Sequence, residues 1–208
     1  MLTAGPTHEK IDPVRFVGNH SSGKMGYSIA EELASRGAEV TLISGPSQLK
    51  VNDTSIKVTS VTSAKEMYEA SMACFDQMDG AIMAAAVADY APADYSDKKI
   101  KRDGEEMVIR LVPNPDIAAS IGEIKRDNQV LVGFALETND AVENASKKLK
   151  KKNLDFVVVN SLENKGAGFQ TDTNIISIIN RYGDKTDYPL KVKSAVAMDI
   201  VDYLEQYF

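Results

Sequence analysis

Ala81-Ile82-Met83-Ala84-Ala85-Ala86-Val87 is almost wholly apolar and runs straight into Ala88-Asp89-Tyr90. A half-exposed strand alternates apolar with polar residues, so an unbroken apolar run of this length predicts a central parallel strand buried on both faces. Polar groups appear at its C-terminal end, where open α/β sheets bind ligands. Residues 130–135 and 154–159, the latter ending at Asn160, repeat the pattern. Helical segments separate these runs. Residues 24–36 are amphipathic and close at Gly37, a good residue after a helix end. Ser63 and Glu66 have capping-box spacing, opening a helix to about residue 78. Another helix follows Asn114-Pro115-Asp116, and residues 139–151 form a lysine-rich one. Shorter strands are expected at 38–44 and 56–59, and a long polar loop at 5–22. Strands alternating with helices predict an α/β fold with a doubly wound, mostly parallel sheet. Two hairpins are added: residues 99–111 alternate around Asp103-Gly104, and residues 174–180 and 187–192 flank Tyr182-Gly183-Asp184, before a terminal helix to Phe208.

The 208 residues fit one domain, 1–208. Hydrophobic residues make up 43% and charged residues 26%, which excludes disorder and fibrous repeats. A net charge of −6 argues against general affinity for nucleic acid or anionic lipid. The single Cys74 makes no internal disulfide, and with two histidines it cannot build a structural zinc site. With no spanning run and no signal peptide, a cytoplasmic protein is expected. Met1-Leu2-Thr3-Ala4 reads as the tail of a strand, which predicts a piece excised from a longer chain.

Gly18-Asn19-His20-Ser21-Ser22-Gly23-Lys24-Met25-Gly26 precedes the first helix. Free N–H groups and a positive dipole end make a helix N-terminus a phosphate cradle, and small residues let the phosphate approach; a plain capped turn is the alternative. Gly18 to Lys24 satisfies G-x-x-x-x-G-K, but Met25 replaces the Ser or Thr that holds magnesium in a P-loop. A dinucleotide reading fails for want of G-x-G-x-x-G and of an acid after Ile43-Ser44. Asn19 could donate to a carbonyl or oxyanion without adding charge, or simply form a turn. His20 is a candidate phosphate contact. Asp89 is placed for a ribose, a metal or a base, or as a cap. Lys99 and Lys101, on one face of the expected hairpin, could close on a polyphosphate or only guard an edge strand. Phe134 could stack on a base or fill the core. The run Lys147, Lys148, Lys150, Lys151 and Lys152 is expected to be a solvated face. No G-x-S-x-G elbow or paired carboxylates stand out, so positioning and electrostatics around a nucleoside triphosphate are favoured over covalent catalysis.

Taken in order, Thr3-Ala4-Gly5-Pro6-Thr7, Asp12-Pro13-Val14-Arg15, Asn19 to Gly26, Ala85-Ala86-Val87-Ala88-Asp89-Tyr90, Lys99-Ile100-Lys101, Asn114-Pro115-Asp116-Ile117, Gly133-Phe134-Ala135 with Glu137-Thr138, and Asn153-Leu154-Asp155 span most of the chain. The set resembles phosphopantothenoylcysteine synthetase, in the form found as the C-terminal half of bacterial bifunctional proteins whose N-terminal half is a flavin-dependent decarboxylase. The resemblance implies a Rossmann-like fold with added hairpins used in homodimerisation. It implies a ligase of coenzyme A synthesis that joins 4′-phosphopantothenate to L-cysteine with CTP and Mg2+ through an acyl-cytidylate, releasing pyrophosphate and CMP. By the same resemblance Asn19 contacts the acyl-cytidylate carbonyl, and Lys99, on a mobile covering strip, neutralises phosphate charge. His20, Ser21, Ser22, Gly23 and Lys24 lie at the phosphate turn, and Ala85, Asp89 and Phe134 shape the nucleoside pocket. The rival expectations are a P-loop-like kinase or ATPase and a non-catalytic nucleotide-binding regulatory module.

Overall fold

The computed structural model describes residues 1–102, 104, 106–137, 141–161 and 171–208. An eight-stranded sheet forms the centre. In chain order its strands are β1 (Leu2–Ala4), β4 (Val40–Ser44), β5 (Ile56–Ser60), β6 (Gly80–Met83), β9 (Val130–Glu137), β10 (Phe156–Ser161), β11 (Thr173–Asn180) and β12 (Lys185–Val192). The spatial order is β12-β11-β10-β9-β6-β1-β4-β5. The strands from β10 to β5 run parallel, and β11 and β12 add antiparallel at one edge. Two small antiparallel pairs stand apart: β2 (His8–Lys10) with β3 (Phe16–Gly18), and β7 (Tyr90–Pro92) with β8 (Leu111–Pro113). The fold is α/β and Rossmann-like, with hairpin additions.

Alternation along the strands divides the core between the two faces. Leu2, Leu42, Ile82, Val132 and Val158 point to one face, against Ile29 of α1 (Lys24–Ser35) and Ile200 of α5 (Lys193–Leu204). Ile43, Met83, Leu131 and Val157 point to the other, against α2 (Ala64–Phe75), α3 (Ile117–Ile124) and α4 (Ala141–Lys151). Local signals set the helix ends. Ser63 and Glu66 form the expected capping box, Asp116 accepts from Ala119 N at 3.1 Å at the start of α3, and Gly37 takes φ +90° after α1. Close packing of α1 on β1 requires Gly26, where a Cβ would lie 2.6 Å from that of Ala4.

Several expectations are corrected. The stretch 5–22 is not one loop, because β2 and β3 pair within it. The apolar run at 81–87 is a strand only as far as Met83. Beyond it Ala85 N donates to Thr3 Oγ1 (3.3 Å), Ala86 N to Gly5 O (2.8 Å) and Ala88 N to Thr7 Oγ1 (2.9 Å), so the chain rides over the loop after β1. Its alanines are small rather than doubly buried. The hairpin placed at 99–111 forms instead between β7 and β8, and the described residues from 93 to 110 contain no strand, so Lys99 and Lys101 do not share a strand face. Asp103 of the expected tip, Thr138 and Asn139 lie outside the described residues. Among the described residues no helix is long and apolar enough to cross a membrane.

Candidate active site

From β1 the chain passes through α1 to β4 and β5 on one side, then returns through α2 to β6 on the other. The carboxyl ends of β1 and β6 therefore face connections leaving in opposite directions, which opens a crevice. A cavity of about 880 Å³ occupies it, with Thr3 of β1, Met83 of β6 and Gly133 of β9 in its wall.

The alanines following β6 make one side of the cavity, and Asn19 faces them. Asn19 Nδ2 donates to Ala86 O (3.1 Å) and Val87 O (3.0 Å), which fixes the amide orientation, since its oxygen turned toward two carbonyls would be repelled. Ser21, Gly23, Lys24 and Gly26 bring the start of α1 to the same space. Gly23 takes φ +83° and, as the N-cap residue, offers no capping side chain; Ser22 Oγ accepts from Lys24 N at a long 3.5 Å, so the first turn still presents backbone donors at the positive dipole end. Ser21 Oγ accepts from Gly23 N at 3.2 Å, shaping the turn. Asp89 is exposed on the rim, its carbonyl held by Asn114 N at 2.8 Å. Phe134 lines the cavity and also packs on the core.

Of the residues singled out from sequence, the structure gathers Asn19, Ser21, Gly23, Lys24, Ala85, Asp89 and Phe134 around this cavity. His20, Ser22 and Lys99 are not in its wall. Lys99 lies exposed on the irregular segment between β7 and β8. Gly18, the first residue of the P-loop-like match, belongs to the small β2–β3 pair and not to a strand of the main sheet, which counts against P-loop geometry.

Other residues were not anticipated. Lys148 and Lys152 line the cavity, so two of the lysines expected on a solvated face project inward. Their i, i+4 spacing, one turn apart where α4 ends and with Lys152 N donating to Lys148 O at 3.0 Å, was the available signal. Lys152 Nζ pairs with Asp116 at 2.9 Å. Burial alone would raise the Asp116 pKa, but the Lys152 ammonium, the Ala119 N–H and Lys151 together hold it below the usual carboxylate value. At the other end Lys24 Nζ contacts Asp172 at 2.6 Å and keeps that carboxyl low. Lys193, buried, donates to Thr171 O at 2.6 Å. Burial and the Lys24 charge push its ammonium below the ordinary lysine value, against the pull of Asp172. Asn174 Nδ2 donates to Asn160 Oδ1 at 3.0 Å in the same wall. Lysines at two ends, a donor-presenting helix start and a fixed neutral amide suit a polyanion whose reacting centre lies near Asn19.

A family model described as DNA/pantothenate metabolism flavoprotein C-terminal domain matches residues 1–207. The chain is 44% identical over 207 residues to the coenzyme A biosynthesis bifunctional protein CoaBC of Vibrio vulnificus (strain YJ016), covering 99% of this chain and 51% of that protein. It is 54% identical over 200 residues to a cysteine/cysteine sulfinic acid decarboxylase of an unknown prokaryotic organism, covering 96% and 56%. The chain thus spans about half the length of the curated relatives it matches. The crystal structure of the C-terminal domain of CoaBC superposes with a TM-score of 0.83 at 41% identity, covering 99% of this chain and 92% of that one. The chain belongs to the family of the DNA/pantothenate metabolism flavoprotein C-terminal domain.

Proposed function

We propose that this domain is a CTP-dependent ligase joining 4′-phosphopantothenate to L-cysteine in coenzyme A biosynthesis. The observation that carries the proposal is the switch-point cavity, which sets the Asn19 amide beside the donor-presenting start of α1 and between lysines. The identity to CoaBC over nearly the whole chain supports the same reading.

In the first step the substrate carboxylate attacks the α-phosphorus of CTP. The bond to the β-phosphate breaks, pyrophosphate leaves, and an acyl-cytidylate remains. The start of α1, Ser21, Gly23 and Lys24, with Lys148 and Lys152, offset the phosphate charge. Ala85, Asp89 and Phe134 shape the nucleoside pocket. In the second step the cysteine amine attacks the acyl carbon and CMP leaves. Asn19 serves the oxyanion by handing over one of its two N–H bonds to the Ala86 and Val87 carbonyls. Lys99 acts from outside the cavity wall, its flexible four-carbon stem carrying the ammonium toward the phosphates while its backbone stays tethered. His20 and Ser22 flank the phosphate turn. Among the described residues no three His, Cys, Asp or Glu side chains group as a metal site. Magnesium commonly takes one or two carboxylates plus substrate phosphates, so Asp89 fits an ion carried in on the triphosphate.

A homodimer is part of the proposal, supported by exposed apolar residues on and beside the small pairs, among them Phe16, Tyr90, Leu111 and Val112. Fusion to a flavin-dependent decarboxylase half is supported by the length of the bifunctional relatives. The test is product analysis with labelled CTP, Mg2+ and 4′-phosphopantothenate, with and without cysteine, repeated with ATP. Pyrophosphate with a cytidylate that resolves to CMP only when cysteine is added is expected. A nucleoside diphosphate product would mean a kinase, and binding without turnover a regulatory module.

A further inference from the structure

We infer that Asp12 is a positioning residue: its buried carboxylate, in the turn of the β2–β3 hairpin, pins the segment carrying Lys99 to the same hairpin that delivers Asn19. The inference rests on the role proposed for Lys99.

The Asp12 side chain is 0% exposed. Oδ1 accepts from Val14 N (2.8 Å) and Arg15 N (2.9 Å), which closes the turn. Oδ2 accepts from Arg15 Nε (3.0 Å) and Nη2, and from Ile100 N at 3.1 Å, 88 residues away in sequence. Arg15 Nη2 donates onward to Ile100 O at 2.8 Å. The Ile100 peptide is therefore gripped on both sides, its N–H by the carboxylate and its C=O by the guanidinium. A second tether lies alongside, where Ser96 N donates to Ile11 O at 3.1 Å.

Apolar packing does not explain this anchorage. Ile100 is 36% exposed, and its segment belongs to no strand, so it lacks both a buried face and ladder bonds. Charge-assisted hydrogen bonds to a fixed carboxylate are what fix the residue next to Lys99. The other end of the arrangement is equally short. The turn leads into β3, and Asn19 follows Gly18 directly, about three strand residues or roughly 10 Å away. Asn19 and Lys99, far apart in sequence, thus share one small rigid unit. Its turn is held by Asp12, and Arg15 Nη1 also reaches Met107 Sδ at 3.8 Å further along the same segment.

The experiment compares the intact protein with Asp12→Ala and with Asp12→Asn, which preserves shape should the first fail to fold. Limited trypsin digestion under native conditions reads the anchor directly, since Lys99 and Lys101 flank Ile100. Cleavage there is expected to rise by about tenfold or more, in keeping with the strength of hydrogen bonds to charged groups. Formation of the acyl intermediate, measured well below the melting temperature, is expected to slow by a similar factor. Adding Asp12→Ala to Lys99→Gln should cost nothing further, because a positioning residue has no role once its client is gone. Unchanged tryptic rates, full additivity, or a faster reaction in the variants would overturn the inference. Faster cleavage together with a fully active Lys99→Gln variant would overturn it too, by removing the role of Lys99 and leaving only a tether.

Discussion

Removing the Asp155 carboxylate should cost this domain much of its stability while leaving its cavity intact. Asp155 precedes β10, at the amino ends of the strands, and does not line the cavity. Its side chain is 8% exposed and contacts Lys125, 5% exposed, at 2.7 Å. Oδ2 also accepts from Leu131 N at 2.7 Å, while Oδ1 accepts from Arg181, which is partly solvated. Breaking a buried pair from one side strands the other charge, at about 3–5 kcal/mol, and an orphaned buried N–H costs about 1–3 kcal/mol. These overlap, because the neighbours relax together, and Arg181 adds little since water replaces its partner. Asp155→Ala is therefore expected to lose about 4 kcal/mol, most of the stability of a marginal domain of this size. At about 2–4 °C per kcal/mol the melting temperature falls by about 8–16 °C. Urea unfolding followed by circular dichroism measures the loss. Asp155→Asn keeps an acceptor for Leu131 N, and adding Lys125→Met to it should restore most of the stability, because the stranded ammonium is gone. A loss below about 1 kcal/mol in Asp155→Ala, or no recovery in the double variant, would refute the argument.

Asn19→Asp would set a carboxylate against the Ala86 and Val87 carbonyls and offer a forming oxyanion repulsion in place of donation; rapid-quench analysis should show intermediate accumulating and resolving about 10²-fold more slowly. Lys148→Gln removes a charge from the cavity wall without touching the Lys152–Asp116 pair, and should raise the KM for the triphosphate about tenfold with little change in melting temperature. The Arg15 guanidinium, and then the backbone N–H groups of Val14, Ile100 and Arg15, outweigh desolvation and hold Asp12 well below the usual carboxylate value. A depressed carboxylate contributes fully above its unfolded value and is lost only as pH falls through its folded one, so the Ile100 amide should be as protected from hydrogen exchange, after correction for intrinsic rates, at pH 4 as at pH 7.

The order of helices and parallel strands was legible because each depends on local chemistry. Apolar runs, the Ser63–Glu66 box and Gly37 report conditions met within a few residues, and the small, polar stretch before α1 marks an anion-ready helix start whatever surrounds it. The stretch at 81–87 misled because composition records that side chains are apolar and not why. Burial explains Ile82 and Met83, whereas the following alanines are small because the chain passes over the loop after β1 and walls a cavity. The hairpin around Asp103-Gly104 misled in the same way, since alternation gives no partner; the pairing lies further out, at β7 and β8. Local chemistry along the chain was enough for the fold class and for half of the cavity, the half carried by single strand ends and one helix start. Long-range contacts were needed to show that Lys148, Lys152, Lys193 and Asn174 complete the wall, that Asp155 is a buried anchor, and that Asp12 grips Ile100. Local periodicity says what each segment buries, but strand order and crossover decide which distant segments meet, and charges paired across such distances leave no period to read.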